Sequence, residues 1–125
     1  MATKNLLATG ESFSALFAFN DISAIGAIRA LRTAGLQVPK DVSVVGFDDI
    51  QSAGYQNPGL TTVRQPLREM GRTAADILVK RINRPGSKIH HQHVVEPELV
   101  IRETTCAAPG KMRRDRSDLT LSVRR

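Results

Sequence analysis

The chain has 125 residues, of which 41% are hydrophobic and 24% charged, proportions that argue against a disordered, collagen-like or disulfide-rich protein. No apolar run approaches the roughly 20 residues of a membrane-spanning helix, and the single cysteine, Cys106, has no intrachain partner. These features exclude a membrane-spanning class and favour one domain, or part of one, in a reducing cytoplasm.

The net charge of +6 is unevenly distributed along the chain. Residues 1–110 carry 12 Lys and Arg against 10 Asp and Glu, whereas residues 111–125 carry 6 against 2. We therefore predict a nearly neutral domain over residues 1–108 and a basic, disordered tail over residues 109–125. Contact between this tail and nucleic acid or another anionic surface is the alternative interpretation.

The first half of the chain has the pattern of a strand, a helix and a second strand. Residues 15–19 are wholly apolar, which is typical of a strand buried on both faces. Asn20 and Asp21 both suit a helix N-terminus, and we expect Asp21 mainly to cap a helix over residues 21–34. Residues 42–47 are rich in β-branched side chains and predict the second strand. The order predicts a βαβ unit of a parallel sheet.

The second half adds one helix and several short strands. Residues 60–64 have strand propensity, and Pro66 suits the first turn of a helix over residues 67–83. Residues 93–95 and 99–101 predict two further short strands. The fold class is therefore α/β, a parallel sheet flanked by helices. Because a doubly wound sheet normally has more strands and helices, the chain is expected to be part of an α/β domain.

Polar residues follow the predicted parallel strands at the edge where ligands bind in open α/β sheets. Asn20 comes directly after the first strand, Asp48 ends the second, and Gln65 can approach the same edge from the crossover segment that precedes the second helix. A carboxylate accepts hydrogen bonds, while an amide donates and accepts them, so the group suits a polyhydroxylated or otherwise polar small molecule. Asp48 has no visible structural role, and we predict that it contacts a ligand.

Two metal-based alternatives are weaker. Asp48 and Asp49 together could hold Mg²⁺ for phosphoryl transfer, but the sequence has no glycine-rich phosphate-binding pattern. His90, His91 and His93 form a cluster without a second ligand pair at zinc spacing, and neighbouring side chains on a strand point to opposite faces. We therefore expect solvated histidines, no metal, no cofactor and no catalysis.

Several segments resemble the lactose/galactose repressor (LacI/GalR) family of bacterial transcription regulators. Residues 19–27, 38–49 and 60–66 match the family's signatures in order and spacing, and residues 97–105 resemble its closing strand. The resemblance covers about residues 5–106. It implies part of a type I periplasmic-binding-protein-like sensor, in which two α/β lobes surround an effector cleft. The family's helix-turn-helix head, its hinge and much of its first lobe have no counterpart here.

The same resemblance implies roles for particular residues. Asp48 matches the carboxylate of the effector cleft, and Asn20 and Gln65 match positions that line it in sugar-responsive members. Leu67 stands where some members carry an aromatic residue, so a stacking contact would be weaker here. The family's dimer surface on the second lobe corresponds to Ile25, Ile28, Arg29, Gly54, Tyr55 and Gln56.

The expected function is effector binding and dimerisation in a sugar-responsive transcription regulator. Residues 15–58 would belong to the second lobe and the helix at 67–83 to the first. The expected partners are a sugar or sugar derivative, a second copy of the chain, and DNA only through a head domain without a counterpart here. The alternative is the solute-binding component of a sugar ABC transporter, against which the absence of a secretion-signal pattern in residues 1–10 counts.

Overall fold

The computed structural model describes residues 2–84 and 93–108. The elements in these ranges are α1 (Ala2–Ala8), β1 (Ala15–Phe17), α2 (Asp21–Thr33), β2 (Ser43–Asp48), α3 (Gln51–Gly54), β3 (Thr61–Arg64), α4 (Leu67–Asn83) and β4 (Glu98–Val100). The predicted α/β class is confirmed. The predicted tail over residues 109–125, together with His90 and His91, lies outside the described residues.

The four strands form one sheet in the order β1-β2-β3-β4. The first three strands are parallel, with Phe17 opposite Val45 and Val45 opposite Thr61. The last strand is antiparallel to β3, with Val63 opposite Leu99. The predicted parallel βαβ unit is therefore confirmed, and the carboxyl ends of β1, β2 and β3 lie along one edge of the sheet.

Helix α2 has well-defined signals at both ends. Asn20 is extended at φ −155° and ψ 174°, and its side-chain oxygen accepts a 2.9 Å hydrogen bond from the Ser23 amide. At the other end Gly35 has φ 82°, a left-handed conformation that glycine adopts without a side-chain clash. The Leu36 amide donates back to the Leu31 carbonyl and closes the last turn. Local sequence therefore sets both ends of this helix.

The core lies between α2 and the sheet and is wholly aliphatic. Its buried members are Ala18, Ala24, Ile28, Leu31, Val42, Val44, Ala53 and Leu60. Fully burying a side chain the size of Leu31 or Val44 contributes about 1.5–3 kcal/mol. This small core positions the N-terminus of α2 and the end of β2 beside each other.

Both edges of the sheet differ from the sequence-based expectation. The prediction that residues 15–19 are buried on both faces was wrong, because β1 is an edge strand and Phe17 is 66% exposed. The prediction of a strand over residues 93–95 was also wrong, since β4 begins at Glu98. Short apolar runs show strand propensity, but pairing depends on distant partners.

Helix α4 has no buried residue, unlike α2. Its large exposed apolar side chains are Leu67, Met70, Leu78, Val79 and Ile82. Within the described residues, no helix combines the length and apolarity needed to cross a membrane.

Candidate functional site

A cleft opens at the carboxyl edge of the parallel strands. It has a volume of about 350 Å³ and is lined by Phe17, Phe19, Phe47, Asp48 and Gln65. These five residues lie at the ends of β1, β2 and β3 or within two positions after them. We call this feature the aromatic cleft. The topology of the sheet therefore brings together residues that are up to 48 positions apart in the sequence.

Two predicted site residues meet at the aromatic cleft. The side-chain nitrogen of Gln65, Nε2, donates a 2.7 Å hydrogen bond to Oδ1 of Asp48. An ionised carboxylate has about four acceptor positions, so this one bond leaves Asp48 with capacity for ligand hydroxyl groups. The pair offers both a charged acceptor and an amide to a molecule in the cleft.

The backbone at Asp48 has an unusual conformation. Asp48 has φ 109° and the next residue, Asp49, has φ 52°. Non-glycine residues held in such regions typically cost about 1–3 kcal/mol each, and they persist only where surrounding contacts hold them. We call these two residues the aspartate turn. The aspartate turn sets the direction in which the Asp48 carboxylate leaves the end of β2.

The contacts that hold the aspartate turn come from two arginines. Arg64 Nε lies 2.7 Å from Asp49 Oδ2, and Arg102 Nη2 lies 2.7 Å from Asp49 Oδ1. Arg102 also donates from Nη1 to the Leu60 carbonyl at 2.7 Å, and Arg64 pairs with Glu98 at 3.1 Å. The carboxylate of Asp49, just after β2, is thus joined both to β3 and to the segment after β4.

The charge of Asp49 is favoured by these partners. Burial of its side chain, which is 8% exposed, would raise its pKa, but the hydrogen bonds and charges of Arg102 and Arg64 outweigh burial. The pKa of Asp49 therefore lies below its ordinary value of 3.8. Two guanidinium groups beside Asp49 also oppose a cation, which weakens the Mg²⁺ alternative. No metal-binding group of three or more His, Cys, Asp or Glu occurs in residues 2–84 and 93–108.

Asp21 has a different role from the one predicted. The prediction that Asp21 caps α2 was wrong, because Asn20 is the capping residue. The Asp21 side chain is fully buried and accepts hydrogen bonds from the Ile50 amide at 2.8 Å and the Thr62 hydroxyl at 2.5 Å. Asp21 therefore joins the start of α2 to β3 and to the segment just after the aspartate turn.

The other two predicted ligand contacts do not line the aromatic cleft. The side-chain oxygen of Asn20 accepts the helix-capping hydrogen bond from Ser23. Leu67 is 58% exposed and lies at the start of α4, two residues after Gln65. Contact of Asn20 or Leu67 with an effector stays a prediction.

The residues predicted for a dimer surface divide into three groups. Arg29, Gly54 and Tyr55 are exposed, with Tyr55 79% accessible. Ile25 and Gln56 are partly buried. Ile28 is only 6% exposed and packs in the core, so the structure corrects its assignment to the surface. Helix α2 does carry an exposed apolar side chain, that of Ile22, which is 70% accessible.

Sequence reasoning missed the aromatic wall of the cleft. Phe17 and Phe47 meet edge to face, with ring centroids 6.4 Å apart and planes at 84°. Phe19 is 87% exposed beside them. The signal was present, because Phe17 and Phe19 are two positions apart at a strand end and Phe47 directly precedes Asp48. Nothing in the local sequence indicated that Arg102 would reach Asp49.

Comparison with known proteins agrees with this architecture. Residues 2–105 match the family model of the periplasmic binding protein-like domain. The transcriptional regulator MalR of Streptomyces coelicolor is 46% identical over 102 residues, which is 82% of this chain and 29% of MalR. The chain spans 27% to 31% of the length of such curated relatives.

Solved structures of regulators share the fold. The CelR regulator in complex with cellobiose is 39% identical with a TM-score of 0.76, over 82% of this chain and 31% of that one. The lac repressor dimer bound to operator and an anti-inducer is 36% identical with a TM-score of 0.76, over 85% of this chain and 36% of that one. The chain therefore belongs to the periplasmic binding protein-like domain family, as part of the sensor domain found in LacI-family transcriptional regulators.

Proposed function

We propose that this chain forms the second-lobe side of an effector cleft in a transcription regulator, and that the effector is a sugar or sugar derivative. The proposal rests on one observation, the hydrogen-bonded pair of Asp48 and Gln65 beside three phenylalanines in the aromatic cleft. The ring faces suit the apolar C–H face of a pyranose, and the carboxylate and amide suit its hydroxyl groups.

The relatives support a regulator over the alternatives. MalR and the lac repressor are transcription regulators by name, and the CelR structure is a complex with cellobiose. None of these three proteins is named as the solute-binding component of a sugar transporter, which was the alternative prediction. We propose further that the complete protein acts in the cytoplasm, binds its effector without catalysis, dimerises through the second lobe, and contacts operator DNA through a separate head domain.

The proposed site can be tested in a chimera with a complete sensor. Residues 2–105 replace the matching segment of the S. coelicolor regulator MalR, which supplies the other lobe. Isothermal titration calorimetry with a panel of monosaccharides and disaccharides, including cellobiose and ribose, identifies the sugar that binds. The Asp48→Asn variant should then bind that sugar about 10-fold to 150-fold more weakly, because losing an ionised hydrogen-bond partner costs about 1.5–3 kcal/mol.

A matched control uses a carboxylate away from the aromatic cleft. Asp41 is exposed and accepts a 2.7 Å hydrogen bond from the Gln37 amide. The Asp41→Asn variant should bind the sugar like the unmodified chimera. Equal affinity of the Asp48→Asn variant and the unmodified chimera would contradict the proposed site, and a folded chimera that binds no sugar in the panel would contradict the effector class.

A further inference from the structure

We propose that Asp49 is a positioning residue for the aromatic cleft: its carboxylate, held between Arg64 and Arg102, keeps Asp48 turned toward Gln65. Asp49 itself does not line the cleft. The role of Asp49 in effector binding rests on the proposed function. The physical claim about Asp48 and Gln65 can be tested without any effector.

The first argument is the conformation of the aspartate turn. Asp48 and Asp49 are consecutive non-glycine residues with positive φ angles, 109° and 52°. A residue of this kind returns to an ordinary conformation unless its surroundings prevent it. Because Asp49 directly follows Asp48, a fixed Asp49 side chain restricts the backbone that aims the Asp48 carboxylate.

The second argument is that two side-chain contacts lie next to each other where β2 and β3 end. Asp48 lies opposite Arg64 in the pairing of β2 with β3. The side chains, however, pair crosswise with the residue that follows each strand. Asp49 pairs with Arg64, and Asp48 pairs with Gln65, both at 2.7 Å. The charged contact and the cleft contact are therefore neighbours, so loosening the first should displace the second.

The third argument is the anchoring of Arg102. Its guanidinium group bonds to Asp49 through Nη2 and to the Leu60 carbonyl through Nη1, each at 2.7 Å. Leu60 is fully buried in the core, so Arg102 connects the aspartate turn to the core. The side chain of Arg102 is 21% exposed, against 49% for Arg64. Because solvent and salt weaken exposed ion pairs, Arg102 should be the more important partner.

The test uses nuclear magnetic resonance on the whole 125-residue chain, labelled with ¹⁵N and without sugar. The side-chain amide signals of Gln65 are assigned by their disappearance in Gln65→Ala. In Asp49→Asn these signals should move and their exchange with solvent should become faster, because the acceptor on Asp48 is displaced. Asp49→Glu, which keeps the negative charge, should restore part of the original behaviour.

Asp41→Asn is the matched control, since it neutralises an exposed carboxylate that also accepts a hydrogen bond. It should leave the Gln65 signals unchanged. The backbone signals of Leu31 and Val44, in the core, report whether each variant keeps the fold. Unchanged Gln65 signals in a folded Asp49→Asn variant would overturn the proposal, as would equal changes in Asp41→Asn.

Two further variants cover the case in which Asp49→Asn does not fold. Arg64→Gln and Arg102→Gln each remove one partner of Asp49. Both should move the Gln65 signals, with the larger change in Arg102→Gln, and the absence of any change in both would overturn the proposal. These results do not involve a sugar, so they remain distinct from a failure of the MalR chimera to bind one.

Discussion

The Thr62 hydroxyl on β3 donates a 2.5 Å hydrogen bond to Oδ1 of Asp21 at the start of α2, and both side chains are fully buried. The second oxygen of Asp21 accepts from the Ile50 amide, one residue after the aspartate turn. A buried carboxylate is costly unless it is hydrogen-bonded. These two donors therefore stabilise the buried carboxylate and join α2 to β3 and to the residue after the aspartate turn.

Removing the Thr62 hydroxyl should destabilise the fold. In Thr62→Val the Asp21 carboxylate loses one of its donors, and a hydrogen bond to a charged group typically contributes about 1.5–3 kcal/mol. We expect the free energy of unfolding, measured by urea titration with circular dichroism, to fall by that amount. Thr33→Val is the control, because Thr33 is exposed and its hydroxyl donates to the Arg29 carbonyl within its own helix. A smaller loss in Thr62→Val than in Thr33→Val would contradict this role for Asp21.

Two glycines should respond in opposite ways to alanine. A Cβ at Gly46 would collide with the Asp21 carboxylate and lie 3.0 Å from a Leu60 methyl group, so Gly46→Ala should cost about 1–3 kcal/mol. A Cβ at Gly26, inside α2, meets nothing within 4 Å. Gly26→Ala should therefore stabilise the chain by about 0.5–1 kcal/mol through helix propensity. Thermal denaturation of both variants tests the contrast, and a shift of the same sign in both would contradict it.

Acid should remove the contribution of Asp49 to stability. The pKa of Asp49 is lower in the folded chain than its ordinary value of 3.8. Its contribution is therefore fully present above about pH 4 and is lost as the pH falls through the folded pKa. Urea titrations between about pH 2 and pH 6 should show a shallower loss of stability in Asp49→Asn than in the unmodified chain. Arg102→Gln should likewise make the loss of stability between these pH values shallower. Parallel plots of unfolding free energy against pH for all three proteins would contradict the stabilising role of the Asp49 charge.

The proposed dimer surface can be tested through its exposed residues. Arg29 and Tyr55 are exposed, whereas Ile28 is part of the core and would report on folding instead. In the MalR chimera, Arg29→Glu combined with Tyr55→Ala should lower the dimer fraction measured by sedimentation velocity, since aromatic and arginine side chains often dominate interfaces. Lys40→Glu, a charge reversal at another exposed position, should leave the dimer intact. An unchanged dimer in the double variant would contradict this surface.

Local patterns in the sequence determined the βαβ unit and the general position of the site. The apolar spacing before Gly35 set α2, the β-branched run set β2, and their order required a parallel pair whose carboxyl ends share an edge. Because ligands in such sheets bind at that edge, Asp48 and Gln65 could be placed together before their contact was known. The hydrogen bond between Gln65 and Asp48 is consistent with that placement, which follows from the order of the strands and helices along the chain.

Only the tertiary structure decided what surrounds those residues. Asp21 looks like a helix cap in the sequence, yet a donor 41 positions away makes it a buried structural carboxylate. Asp49 is held by Arg102, 53 positions away, and Phe17 is exposed on β1, which is an edge strand of the sheet that the described residues form. Burial and ion pairing depend on which segments meet after folding, and hydrophobic periodicity within one element carries no information about such distant partners.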